Sequence, residues 1–337
     1  MNLLTSMHWQ WDISIIEFFN GWAQNSEFVA TLFRLISYLG TEYAVIIFFG
    51  ILYWAFDKEI ARKMGPAVFF AMLCNNVTKS FFNRMRPYQQ SPDTIKIKDP
   101  NILLEGANGD PILVHGHWGD YYASSSTSFP SGHSSGASAL YNSYAIAKKE
   151  KIVWIIASVL CSLVMLSRMV LGAHFLTDVV AGYLLGFLVV QLYYFAESKI
   201  KNTKLLSICL IAVSGLITLL SPLWTDQSRD LFTAWGIYAA IVLGMMLENK
   251  YVNLENTKSI WKGIIRIALG VGIALLIKIV FKLPYKNLVQ EGTYLCNLLD
   301  MLRYFIMAFV AVFLYPMLIK KIKFLNDTKK GEINESC

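Results

Sequence analysis

Residues 151–195 read KIVWIIASVLCSLVMLSRMVLGAHFLTDVVAGYLLGFLVVQLYYF, and their reading decides the fold class. Two apolar runs, 152–171 and 178–196, meet at a short joint, and Arg168, His174 and Asp178 all stand at or beside it. A helix of roughly 17–25 apolar residues covers the hydrocarbon core of a bilayer. Two consecutive helices that carry their charges only where they meet read as a membrane hairpin, with a polar tip at one surface.

The pattern continues outward in both directions. Further apolar runs at 38–56, 64–82, 133–148, 205–223, 231–247, 263–281 and 301–319 make about nine expected spans. The expected fold class is all-α, a polytopic membrane helical bundle with an N-terminal interfacial helix. Composition agrees: of 337 residues 55% are hydrophobic and 16% charged, against about 25% charged in soluble domains. That excludes a disordered chain, a disulfide scaffold and a soluble enzyme. The net charge of +7 would suit nucleic acid, but the basic residues lie in short patches between apolar runs, so no nucleic-acid partner is expected.

Region 1–37 reads differently. Ile15, Ile16, Phe18, Phe19, Trp22, Phe28, Leu32, Phe33 and Ile36 recur at helical spacing, interrupted by Asp12, Glu17, Asn20, Asn25 and Glu27. This is a poor span and a fair amphipathic helix lying on the membrane. The expected organisation is then 1–37 as that interfacial region, 38–196 as the core carrying the chemistry, 197–323 as additional transmembrane helices and 324–337 as a cytoplasmic tail. No basic region precedes an apolar core in the first ten residues, so no cleaved signal peptide is expected.

Charge sets the orientation. With the N-terminus outside, each inner connection carries at least three basic residues: Lys58, Arg62 and Lys63; Lys148, Lys149 and Lys151; Lys199, Lys201 and Lys204; Lys250, Lys258, Lys262 and Arg266; and Lys320, Lys321, Lys323, Lys329 and Lys330. Excess Lys and Arg on the cytoplasmic side is the usual rule. Lys79, Arg84, Arg86 and Arg168 break it, and all lie near span ends on the outer side.

Those exceptions gather into three segments at the outer face: Lys79-Ser-Phe-Phe-Asn-Arg-Met-Arg86-Pro87, Pro130-Ser131-Gly132-His133, and Ser167-Arg168 followed by His174 and Asp178. Charges beside hydrocarbon are costly and imply function. Lys79, Arg86 and Arg168 outnumber Asp178, so the pocket suits an anion, most simply phosphate. Arg offers a planar fork of donors and Lys a point charge. Ser131 and Gly132 open a helix whose free N–H groups add an anion site. His174 and Asp178, four residues apart, share a helical face if the helix begins by His174. Asp178 can fix the imidazole tautomer, leaving the other nitrogen to attack phosphorus, while His133 serves as acid and base.

These segments resemble the type 2 phosphatidic acid phosphatase superfamily, whose three-part pattern is Lys-x6-Arg-Pro, Pro-Ser-Gly-His and Ser-Arg-x5-His-x3-Asp. All three parts occur here in order, and the resemblance covers about residues 38–196. It implies a phosphohistidine on His174 oriented by Asp178, with His133 as acid/base. It also implies a phosphate cradle of Lys79, Arg86, Ser131, Gly132 and Arg168, with neither metal nor cofactor. Arg84 has no role in the pattern and is expected to face headgroups. The added spans beyond 197 resemble the layout of the glucose-6-phosphatase and sphingosine-1-phosphate phosphatase branches, and could shape a substrate pocket or mediate a homodimer.

A site at the membrane surface suits a lipid phosphate: phosphatidate, a sphingoid-base phosphate, phosphatidylglycerol phosphate or a polyprenyl diphosphate. A soluble sugar phosphate, a phosphotransferase reaction, lipid phosphate binding without turnover and a lipid or anion transporter are the alternatives. A transporter site belongs near the bilayer midplane, whereas these charges lie at span ends. Asn-x-Ser/Thr occurs at Asn76, Asn326 and Asn334 but not in the long outer loop, which favours a bacterial plasma membrane with the site extracytoplasmic. Five cysteines without a CxxC pair give no framework; Cys74, Cys161 and Cys209 are expected to be small buried hydrophobes. His115 and His117 read as loop polarity, Phe48, Phe49, Tyr53, Trp54 and Phe56 as a lipid-facing aromatic surface, and Pro316 as a kink.

Overall fold

The computed structural model describes residues 9–82, 84–91, 93–98, 113–114, 121–122, 127–225, 228–286, 289–290, 292–322 and 324–327. His8, His115, His117 and most of the C-terminal tail lie outside the described residues. The fold is helical. Among the described residues the strand pairing is one two-residue ladder, Leu113–Val114 against Tyr121–Tyr122. The helices are α1 (Gln10–Asn25), α2 (Glu27–Tyr38), α3 (Glu42–Ile51), α4 (Lys58–Phe81), α5 (Pro87–Gln90), α6 (Gly132–Lys148), α7 (Lys151–Val170), α8 (Leu176–Lys199), α9 (Thr203–Leu220), α10 (Ser228–Tyr251), α11 (Ile260–Lys286), α12 (Tyr294–Phe309) and α13 (Tyr315–Lys321). Local chemistry marks several starts. Ser26, Ser131, Asn202 and Thr293 each accept an N–H of the first turn of the helix they precede.

Among the described residues six segments are long and apolar enough to cross a membrane: Lys151–Val170, Leu176–Lys199, Thr203–Leu223, Ser228–Tyr251, Ile260–Ile277 and Tyr294–Lys321. Helices α2 and α3 qualify only as a pair bent by 51°, a broken span or re-entrant loop, for at most seven where nine are expected. The shortfall has a physical cause. Helix α4 begins with Lys58, Glu59, Arg62 and Lys63. Helix α6 has 17 residues, and its Ser134, Ser135, Ser138, Asn142 and Ser143 are all buried. A helix packed inside protein has no need to be apolar. The outward faces of α7, α8 and α9, by contrast, expose Ile155, Val159, Leu188, Leu192 and Leu216, as an integral membrane protein requires.

The chain divides into two compact units. The first comprises Met1–Val45, Phe70–Lys199 and Leu223–Gln227; the second comprises Ile46–Phe69, Ile200–Pro222 and Ser228–Cys337. In the first unit α6 and α8 approach along their backbones. A Cβ on Gly182 or Gly186 would collide with the carbonyls of Ser131 or Ser135, so only this small-xxx-small spacing permits the contact. The N-terminal region differs from the expected interfacial helix. It forms two helices broken at Ser26, and α1 turns its polar residues inward: Asp12 and Asn20 are fully buried while Trp11, Phe18 and Trp22 are exposed. Asn20 staples distant backbone, donating to Lys96 O and Val170 O at 2.9 Å each and accepting from Lys96 N at 2.9 Å. Beneath it Gly172 takes φ +71, and a Cβ there would lie 2.7 Å from Lys96 O.

In the second unit the aromatic run expected to be lipid-facing is split: Phe56 is exposed and Phe48 half-buried, but Phe49, Tyr53 and Trp54 are buried. A π-helical turn, Val310–Leu314, precedes Pro316. Proline cannot donate to the carbonyl four residues back, and that carbonyl, Val312 O, instead accepts Tyr53 Oη at 2.9 Å; Trp54 Nε1 donates to Ala311 O at 2.9 Å. Buried Lys58 pairs with Glu248, which Arg62 also reaches at 2.9 Å. Cys161 and Cys296 are buried and Cys74 half-buried, but Cys209 is exposed on α9.

Candidate active site

The three polar segments converge within the first unit. Arg168 ends α7, and its backbone carbonyl accepts the N–H groups of Ala173 and His174 at 3.0 and 3.3 Å. This tight turn, shaped by Gly172, presents His174 just before α8. Its Nε2 lies 3.3 Å from Arg86 Nη1, which also donates to Ala173 O at 3.1 Å. Its Nδ1 lies 3.4 Å from Ser128 Oγ and 3.7 Å from Asp178 Oδ2. One ring nitrogen therefore faces a guanidinium and the other faces a hydroxyl backed by a carboxylate. Ser128 Oγ donates to Asp178 Oδ2 at 2.5 Å, so the hydroxyl bridges the two groups.

Asp178 is fully buried in the first turn of α8. Its Oδ2 also accepts Phe175 N at 2.9 Å, and its Oδ1 accepts Arg84 Nη1 at 2.7 Å. Arg84 is thus no headgroup-facing arginine. It is buried, stacked 4.2 Å over the Phe175 ring, and donates to Thr177 Oγ1 at 2.5 Å and Asp12 Oδ2 at 2.9 Å.

The remaining expected residues surround this centre. Ser131 caps α6: its Oγ accepts Ser134 N at 3.4 Å and Ser134 Oγ at 3.1 Å, while its own N–H donates to Asp178 O at 3.0 Å. That bond, made possible by the glycines of α8, ties the start of α6 to the start of α8. A Cβ on Gly132 would lie 3.6 Å from Asn75 Nδ2, an ordinary contact, so protein does not crowd this position. His133 follows in the first turn of α6, half-buried. Arg168 is 1% exposed and donates to Ser37 Oγ at 2.5 Å. Lys79 stands in the last turn of α4.

Lys79 and Arg168 act on His174 through their charge. Burial chiefly, then Arg86, Arg168 and Lys79 in turn, hold the imidazole well below its usual protonation range. The result is a neutral ring under positive potential, with Nε2 on the Arg86 side. Such a ring is a nucleophile, and the potential around it attracts an anionic electrophile. Ser128, Thr177, Arg84 and Asp12 escaped the sequence reading. Ser128 and Thr177 adjoin motif residues, but Asp12 is 165 residues from Thr177 and carries no motif.

The description "PAP2 superfamily" matches residues 61–201, and "PAP2 superfamily phosphatase, transmembrane extension" matches residues 232–328. The chain is similar to phosphatidylglycerophosphatase B of Bacillus subtilis (strain 168), 44% identical over 89 residues, covering 24% of this chain and 44% of that one. It is similar to sphingosine-1-phosphate phosphatase 1 of Mus musculus, 24% identical over 278 residues, covering 74% of this chain and 59% of that one. Among solved structures it is similar to a transmembrane PAP2 type phosphatidylglycerolphosphate phosphatase from Bacillus subtilis, with a TM-score of 0.39, 28% identity, and coverage of 58% and 90% of the respective chains. The chain thus spans between two fifths and three fifths of the length of these two curated relatives.

Proposed function

The chain belongs to the PAP2 superfamily, and on that premise we propose that it is an integral membrane phosphatase hydrolysing a lipid phosphate through a phosphohistidine on His174. Residues 38–196 carry the chemistry. The supporting observation is the orientation of His174, with Nε2 3.3 Å from Arg86 and Nδ1 turned to Ser128 and Asp178. In the first step Nε2 forms a bond to phosphorus as the P–O ester bond breaks, and His133 protonates the departing oxygen. In the second, His133 takes a proton from water, whose oxygen attacks phosphorus and releases His174 and inorganic phosphate. Lys79, Arg86, Arg168 and the first turn of α6 at Ser131 and Gly132 neutralise the phosphoryl oxygens. Residues of this chain account for each proton and charge, and no metal or cofactor enters the scheme.

A lipid substrate fits because relatives are named for phosphatidylglycerophosphate and sphingosine-1-phosphate, and because the polar segments lie at helix ends. The basic loops expected at the opposite ends support a site on the extracytoplasmic face, and the lack of a sequon in the long outer loop favours a bacterial plasma membrane. The test is phosphate release by purified protein from phosphatidate, phosphatidylglycerol phosphate, sphingosine 1-phosphate and glucose 6-phosphate. His174→Ala is expected to abolish release while the protein stays folded. Release that survives in that variant would overturn the nucleophile, and a preference for glucose 6-phosphate would overturn the lipid assignment.

A further inference from the structure

Asp12 lies outside both matched segments, residues 61–201 and 232–328, yet it is bonded into the site. It is fully buried in α1. Its Oδ2 accepts Arg84 Nη2 at 2.9 Å and Thr177 Oγ1 at 2.5 Å, and its Oδ1 lies 3.5 Å from Thr177 N. The other nitrogen of the same guanidinium holds Asp178 at 2.7 Å. Two buried carboxylates therefore share one arginine.

The charge balance gives this sharing a purpose. Attack through Nε2 by an imidazole that keeps its proton on Nδ1 leaves a positively charged phosphoryl-imidazole ring. A carboxylate behind Nδ1 stabilises that ring more strongly when its own charge is not offset by a neighbouring cation. Arg84 and Asp178 alone sum to zero. With Asp12 the three groups sum to −1. The geometry points to Asp12 as a positioning residue of the N-terminal helix: it occupies Arg84 and thereby leaves the group behind His174 net negative during phosphoryl transfer. This rests on the phosphohistidine reading above. The plain alternative is that Asp12 merely caps the N-terminus of α8 through Thr177, which would stabilise the fold without touching the reaction.

The two roles separate in a charge-restoring double variant. Asp12→Asn leaves Arg84 and Asp178 at zero net charge; adding Arg84→Gln returns the group to −1. Purified wild type, both variants and His174→Ala are assayed on phosphatidate in mixed micelles, with kcat, KM and melting temperature recorded. Asp12→Asn is expected to lower kcat roughly 10–100-fold with KM changed less than about threefold, since only a state bearing ring charge loses support. The double variant is expected to recover kcat to within about tenfold of wild type, whatever its melting temperature. A cap would predict the reverse, with kcat intact in Asp12→Asn and loss of stability accumulating in the double. Wild-type kcat in Asp12→Asn, or a double variant more than about tenfold below wild type, overturns the proposal. Should Asp12→Asn not fold, the double variant decides alone: it removes the Asp12–Arg84 pair whole and leaves Asp178 the hydrogen bonds from Ser128 Oγ and Phe175 N. Activity persisting in His174→Ala would instead be the failure of the phosphohistidine reading itself.

Discussion

Burial, and then the positive charges of Arg86, Arg168 and Lys79, disfavour a proton on His174. The consequence for pH follows directly. An unfolded histidine takes up a proton near its ordinary value of about 6.5, while the folded one does not until the pH is well below that. Between those two values the unfolded chain binds more protons, so stability present above pH ~6.5 is lost as pH falls, at about 1.4 kcal/mol per pH unit for this one group. Catalysis moves the other way. With His174 as the proposed nucleophile, its ring stays neutral through pH 6.5, so the acid limb of kcat/KM should lie well below that pH and shift upward in Arg86→Gln, as a pH–rate profile of both proteins will reveal. The pairing of His174 with Asp178 was legible from their spacing of four residues, whereas Arg86, 88 residues from His174, was legible only as part of the three-part family pattern. Arg84 has no place in that pattern, and its partners Asp12 and Asp178 lie 72 and 94 residues away. Contacts at that separation leave no periodic trace.

Helices declare themselves when they face one kind of surroundings along their length. The apolar runs at 152–171 and 178–196 nearly coincide with α7 and α8. Region 1–37 was expected as an amphipathic helix on the membrane, its polar face toward water. In α1 Phe18 and Trp22 do turn outward, but Asp12 and Asn20 turn into the protein, where a polar side chain beside lipid finds its partners. The same logic explains the aromatic run after α3, whose Tyr53 and Trp54 satisfy carbonyls loosened ahead of Pro316. At this scale the testable contact is α6 on α8. Gly182→Val would drive a side chain into the Ser131 carbonyl and push apart two helix starts that carry Ser131 and Asp178. Overpacking of this kind costs about 1–3 kcal/mol. A lowered melting temperature should therefore come with a fall in kcat, whereas a change on the exposed face of the same helix, Leu192→Val, should alter neither. Wild-type values in Gly182→Val would refute the close approach.

The units of the whole molecule do not follow the order of the chain. Residues 46–69 belong with the helices beyond 200, not with the site. Lys58 is buried against Glu248 and the carbonyl of Leu254, and Tyr53 bonds Val312. A chain ended after Asn202 would keep Lys58, Tyr53 and Trp54 and lose every one of those partners. Orphaning a buried charge costs about 3–5 kcal/mol, so the truncated protein should not accumulate as a monodisperse species in detergent, which size-exclusion chromatography will decide. Recovery of a stable, active fragment would show the C-terminal helices to be dispensable. The burial of Asp12 also has a bearing on biosynthesis. Translation delivers this carboxylate 72 residues before Arg84 and 165 before Thr177. Until both have emerged it has nothing to shield it from hydrocarbon. A carboxylate without partners is costly in hydrocarbon, so α1 is expected to dock only after Thr177 has emerged, late in the assembly of the first unit.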